Sequence, residues 1–101
     1  MKITDLQTFL VHPGSGKNWL FVKLETDAGI HGWGEAYTQA DRDTAIEVQI
    51  QQLGRYVVGR DPFQIKGFTH MAYTDFANKR GAMDVYCAIS ALEQAMWDIA
   101  G

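Results

Sequence analysis

The strongest constraint in this chain is the run Ala91-Leu92-Glu93-Gln94-Ala95-Met96-Trp97-Asp98-Ile99-Ala100-Gly101, which continues an apolar stripe begun at Val85. Val85, Ala88/Ile89, Leu92, Ala95/Met96 and Ile99 recur at three- and four-residue spacing. A helix lines them along one side, and that side must face a core. Such a helix is ordinarily followed by a loop and by the element it packs on, and here nothing follows Gly101. The pattern reads as a piece of something larger. On this reading the stripe leaves apolar surface uncovered unless a missing domain or another subunit packs on it, so the fragment by itself self-associates or is marginally stable. Function then depends on residues outside the chain.

With 101 residues, 47% hydrophobic and 21% charged, the chain fits one domain and has a folding composition, with no low-complexity segment. A net charge of −3 with interspersed signs gives no field to hold a polyanion, so nucleic acid is excluded as a partner; Lys79-Arg80 is too short for a basic patch. The single Cys87 excludes an internal disulfide and any multi-cysteine metal site, and reads as a small buried thiol in a reducing compartment. No apolar run approaches the ~18 residues of a membrane span. Thr4, Asp5, Gln7 and Thr8 interrupt any secretory signal, which leaves the cytoplasm as the expected location.

Residues 2–12 and 18–26 are rich in branched and aromatic side chains and flank the breaker cluster Pro13-Gly14-Ser15-Gly16, predicting two strands joined by a loop. Leu20, Val22 and Leu24 alternate with Phe21, Lys23 and Glu25, the period of a sheet with one buried face. Asp27-Ala28-Gly29 supplies a tight turn into a third strand, Ile30 to Tyr37, completing an antiparallel meander. Gly32 and Gly34 inside that strand mark places where a backbone or bulky side chain approaches closely. Gly32-Trp33-Gly34-Glu35 lacks the third glycine and the helix start of a phosphate loop. From Asp41 the period changes. Ile46, Ile50, Leu53 and Val57 predict a helix ending near Gly59, and Asp61-Pro62 predicts a capped start to a second helix with Ile65, Phe68 and Ala72 inward. A third helix begins near residues 82–84. Strands followed by helices give an α+β domain, a three-stranded meander followed by a helical bundle.

Two segments, Glu25-Thr26-Asp27-Ala28-Gly29-Ile30-His31-Gly32-Trp33-Gly34-Glu35-Ala36 and Ala88-Ile89-Ser90-Ala91-Leu92-Glu93-Gln94-Ala95-Met96-Trp97-Asp98-Ile99-Ala100-Gly101, together resemble the N-terminal capping domain of the enolase superfamily. Within it the chain looks like the mandelate racemase / muconate lactonizing enzyme group, and most like its sugar-acid dehydratases of galactonate or gluconate type. Gly59-Arg60-Asp61-Pro62 resembles the pattern at the matching place, and the likeness spans residues 1–101. The resemblance implies a two-domain enzyme in which this cap closes over a modified β/α barrel absent from the chain. In that family the barrel holds Mg²⁺ and a Lys or His base, which removes the proton α to a carboxylate; the metal stabilises the resulting enediolate. In a dehydratase the β-hydroxyl then leaves as water. The resemblance therefore implies no catalytic residue and no metal ligand in this chain.

By position, His12 to Asn18 corresponds to the family's mobile specificity loop. Lys17 offers a cation to a substrate carboxylate, and Asn18 both donates to and accepts from hydroxyls; the plain alternative is a solvated lysine and a turn asparagine. Trp19 either walls the pocket against water or packs in the core. His12 is a further candidate contact, with an incidental loop histidine as the alternative. Tyr37 and Thr38 match the start of a second loop that the cap lends to the active site. His31 and His70 have no partner visible in sequence and receive no role. Glu35 and Asp98 stand in the two motifs but are not expected to bind metal: Glu35 is read as accepting hydrogen bonds where sheet and helices meet, and Asp98 as unfavourable near a helix end unless Arg or Lys pairs with it. Lys79 and Arg80 pair with an acidic barrel loop or stay in solvent.

The resulting expectation is the specificity cap of a Mg²⁺-dependent sugar-acid dehydratase, a homo-oligomer whose partners are its substrate and its own C-terminal barrel. Two rivals stand beside it. One keeps the superfamily but changes the reaction to racemisation, epimerisation or cycloisomerisation. The other is a stand-alone α+β binding module whose last helix docks on a partner.

Overall fold

The computed structural model describes residues 1–12, 14, 18–38, 43–72 and 83–101, with the backbone alone given for 83–85. Three strands, β1 (Ile3–Val11), β2 (Trp19–Thr26) and β3 (His31–Ala36), form an antiparallel sheet in the order β1-β2-β3. The alternation in β2 resolves as expected: Leu20, Val22 and Leu24 are fully buried, while Phe21, Lys23 and Glu25 are only partly covered. β1 does not keep a strict period of two. A register shift between Ile3 and Asp5 lets Ile3 and Leu6, three residues apart, both join the core.

The β2–β3 turn closes where the amide and hydroxyl of Thr26 donate to the Ile30 carbonyl at 3.0 and 2.7 Å, and Gly29 takes φ +80°. A Cβ at Gly29 meets nothing within 4 Å, so Gly29→Ala tests backbone conformation alone. We expect a loss of about 1–2 kcal/mol, the cost of the left-handed region for an L-residue, read from urea unfolding.

The helices are α1 (Asp43–Leu53), α2 (Ile65–Met71) and α3 (Met83–Ala100), with a 3-10 turn at Gly54–Tyr56. α1 buries Ile46, Ile50 and Leu53, and its polar side is tied to the sheet: Thr8 Oγ1 donates to Glu47 Oε2 at 2.9 Å and accepts from Gln51 Nε2 at 3.1 Å. The helix stops earlier than its apolar period predicts. The chain tightens after Leu53 and peels away, because Gly59 N–H donates to Ile3 O at 2.7 Å and Ile3 N–H to Arg60 O at 2.8 Å, pairing this segment with the start of β1. Asp61-Pro62 does not open α2 either. Asp61 Oδ1 accepts from Phe63 N–H at 2.9 Å and closes a turn, and the helix begins three residues after Pro62, with Ile65, Phe68 and Ala72 buried as anticipated.

The largest correction concerns α3. Ala88, Ile89, Leu92, Ala95, Met96 and Ile99 are all buried inside this chain, so the stripe finds its core here, against β3 and α1, and needs no absent domain to cover it. Val85, the first residue of the stripe, lies outside the described side chains. The most exposed large apolar side chain described on α3 is Trp97, 59% exposed, across a groove from Phe63.

Gly32 and Gly34 explain how α3 comes so close. A Cβ on Gly32 would collide with the Ala95 carbonyl oxygen, and one on Gly34 with that of Ala91, so helix backbone lies directly on strand backbone. β3 is an edge strand, and its amides are capped by the helix: Trp33 N–H donates to Asp98 Oδ2 at 2.9 Å and Glu35 N–H to Gln94 Oε1 at 3.2 Å. The spacing fits, since two strand residues and four helix residues each advance about 6–7 Å. Asp98 is thus balanced by a backbone amide and, among the described residues, not by Arg or Lys. Glu35 contributes its amide to the layer contact in place of the expected carboxylate, and its side chain is exposed. Both motif carboxylates sit on a structural seam that also protects a sheet edge.

Candidate functional site

At the end of β3, where β2 begins and α3 passes, lies an open cavity of about 490 Å³ lined by Trp19, Glu35, Tyr37, Thr38, Ser90 and Gln94 among others. Trp19 reaches it from the first residue of β2. It is 48% exposed, does not pack in the core, and meets Phe21 edge to face at 6.4 Å. Tyr37 is 57% exposed immediately after β3. On the helix side Gln94 Nε2 donates to Ser90 Oγ at 3.2 Å, and Cys87 is a buried thiol in the lining. The cavity thus offers aromatic walls, hydroxyls and one carboxylate. That set accepts and donates to polyols, and Glu35 disfavours placing an anionic group beside it.

A polar chain flanks the cavity. Thr38 is 2% exposed, and its hydroxyl donates to the Asn18 carbonyl at 2.6 Å. Asn18 Nδ2 donates to Asp43 Oδ2 at 2.7 Å, and Asn18 Oδ1 lies 2.6 Å from His12 Nδ1. Asp43, 7% exposed at the start of α1, also accepts from Thr44 N–H through Oδ1 at 2.7 Å. The end of β1, the start of β2, the second residue after β3 and the start of α1 are therefore joined through Asn18.

Of the residues singled out from sequence, Trp19, Tyr37 and Thr38 line one cavity, and Asn18 and the exposed His12 belong to the hydrogen-bonded chain beside it. Lys17, together with Lys79 and Arg80, lies outside the described residues. His31 is exposed and meets the Trp33 ring edge-on at 6.4 Å, and His70 is exposed on α2. Asp43 is the residue that sequence reasoning passed over. Its one signal is a carboxylate at the point where the helical period begins, which usually marks only a helix start.

The described residues do not fit a Mg²⁺ site. Mg²⁺ requires several oxygen ligands in octahedral array. Among the described residues no three His, Cys, Asp or Glu side chains converge, and both oxygens of the buried Asp43 are engaged by N–H donors.

Residues 8–101 match the family model described as "Mandelate racemase / muconate lactonizing enzyme, N-terminal domain". The chain belongs to this family. It is similar to the D-galactonate dehydratases of Xanthomonas campestris pv. campestris (strain B100), at 41% identity, and of Cronobacter sakazakii, at 38%, each over all 101 residues and 25% of the relative. Among solved structures, the mandelate racemase/muconate lactonizing enzyme from Sulfitobacter sp. superposes with a TM-score of 0.88 at 36% identity, over 100% of this chain and 27% of that one. The chain thus spans about a quarter of the length of the curated relatives it matches. The meander and helices are the fold of this family's N-terminal domain, and no described helix is long and apolar enough to cross a membrane. The Gly32/Gly34 seam against Ala91 and Ala95 lies within the matched region, so the two segments that carried the resemblance are those that lock sheet to helix.

Proposed function

We propose that this chain is the substrate-specificity cap of a cytoplasmic, Mg²⁺-dependent sugar-acid dehydratase of the D-galactonate type, with catalysis carried by a C-terminal barrel. The observation that carries this reading is the full-length similarity of the chain to D-galactonate dehydratases four times as long. The cavity supports it. Trp19 and Tyr37 offer faces to a sugar acid's carbon chain, while Asn18 and Thr38 are committed to each other and to Asp43 and so hold the walls in place. Lys17, one residue before this cluster, pairs with the substrate carboxylate. The reaction removes the proton α to the carboxylate and expels the β-hydroxyl as water; the resulting enol becomes a 2-keto-3-deoxy acid. By the likeness to these two-domain enzymes, the base, the acid and the Mg²⁺ ligands are assigned to the barrel.

The test is turnover of a panel of sugar acids by the full-length protein, read as formation of the 2-keto-3-deoxy product. D-Galactonate should be among the best substrates. Lys17→Ala should lower kcat/KM roughly ten- to hundredfold, the equivalent of a charge-assisted contact of about 1.5–3 kcal/mol, with Mg²⁺ affinity unmoved. Racemised or cyclised product would replace the dehydratase reading with its superfamily siblings. Unchanged kcat/KM in Lys17→Ala would reduce that residue to a solvated lysine.

A further inference from the structure

The chain Asp43–Asn18–His12 has a direction. An ionised carboxylate only accepts hydrogen bonds, so the group that Asn18 turns toward Asp43 must be its NH₂. The 2.7 Å contact from Asn18 Nδ2 to Asp43 Oδ2 has that orientation. With the amide so turned, Oδ1 faces His12 Nδ1 at 2.6 Å, and an amide oxygen only accepts. His12 Nδ1 must therefore carry the proton. In the neutral imidazole this leaves Nε2 as the ring's one acceptor. The order cannot run the other way, because an exposed histidine by itself is free to present either nitrogen, whereas Asp43 is 93% covered and pinned by the Thr44 amide at 2.7 Å.

We propose that Asp43 is a positioning residue of the cap: through the Asn18 amide it fixes His12 as the Nδ1–H tautomer, so that Nε2 is presented as an acceptor for a substrate hydroxyl. Through the same amide it ties the end of β1 and the start of β2 to the start of α1, next to Trp19 and Thr38 in the cavity wall. The assignment rests on the cap reading for its substrate, but the tautomer itself does not depend on it.

Asp43→Asn separates a relay from a merely structural role. Asn caps a helix start about as well as Asp, so its oxygen can keep the Thr44 amide while its NH₂ now faces Asn18. Two NH₂ groups cannot pair. Asn18 must flip, presenting its NH₂ to His12, and His12 must answer with an unprotonated Nδ1. The conservative variant is thus expected to invert the tautomer and leave the fold intact.

The experiment is ¹⁵N NMR of histidine-labelled full-length protein at about pH 8.5, above the ordinary histidine range, with His12 assigned by His12→Gln. Wild type should show Nδ1–H, and Asp43→Asn should show Nε2–H, with the unfolding midpoint within about 2 °C of wild type. In parallel, KM for the sugar acid should rise about fivefold in Asp43→Asn with kcat within twofold. A wild-type Nε2–H signature, or one that does not respond to Asp43→Asn, overturns the relay. A tautomer that inverts with KM unmoved overturns its role in positioning for substrate. If wild type turns over no sugar acid, the cap reading of the preceding section fails, and the ¹⁵N spectra still decide the relay.

Discussion

Among the described glycines, Gly34→Ala should be the most damaging methyl addition. The new Cβ would collide with the Ala91 carbonyl oxygen, and both partners are backbone, so no rotamer change relieves the contact. Either α3 lifts from β3, separating Leu92 and Met96 from the sheet and drawing Gln94 off the Glu35 amide, or the strand distorts. Overpacking in cores costs typically 1–3 kcal/mol and occasionally more. With backbone on both sides we expect the upper end, about 3 kcal/mol or above, a large share of the 5–15 kcal/mol typical of a whole domain. Urea unfolding of the 101-residue chain would report this as a lower midpoint at constant slope. Gly67→Ala is the control. Its Cβ would meet only Gln64 Cβ at 3.9 Å on an exposed turn of α2, and the variant should gain up to about 1 kcal/mol from helix propensity. A Gly34→Ala loss below about 1 kcal/mol would mean that the two layers slide apart freely and that the glycine pair is not what seats the helix.

Leu92→Ala comes second. Leu92 is fully buried midway along α3, where the stripe faces β3 and α1. Truncating such a leucine costs about 2–5 kcal/mol, the spread reflecting how far the cavity collapses. Trp97, five residues on and 59% exposed, should cost less than about 1 kcal/mol when cut to Ala in the same 101-residue chain, although it is the larger side chain. The contrast tests the burial directly. Were the stripe waiting for an absent partner, Leu92→Ala would be nearly silent in the isolated chain and the two effects would converge.

The sequence alone determined the elements and the inward residues where a period was long and regular. Leu20, Val22 and Leu24 fill one sheet face because strand side chains alternate, and Ala88 to Ile99 line one helix side because helical ones recur at 3.6. Gly29, and Gly32 with Gly34, were legible as a turn and as a close approach because glycine is suited to both. Tertiary structure decided what those periods meet. α3's stripe read as unpartnered since periodicity shows that a face is apolar but not what covers it; the cover is β3, about sixty residues earlier in the chain, together with α1. α1 ended before its apolar repeat did, because Ile3 offered the Gly59–Arg60 backbone better pairing than another helical turn. The same limit governs the site. Trp19, Tyr37, Asn18 and His12 were visible as chemically suitable groups near loops. Asp43 was not, because a carboxylate at a helix start is commonplace until folding brings it 2.7 Å from an asparagine 25 residues away and thereby sets which way that amide, and the histidine behind it, must face.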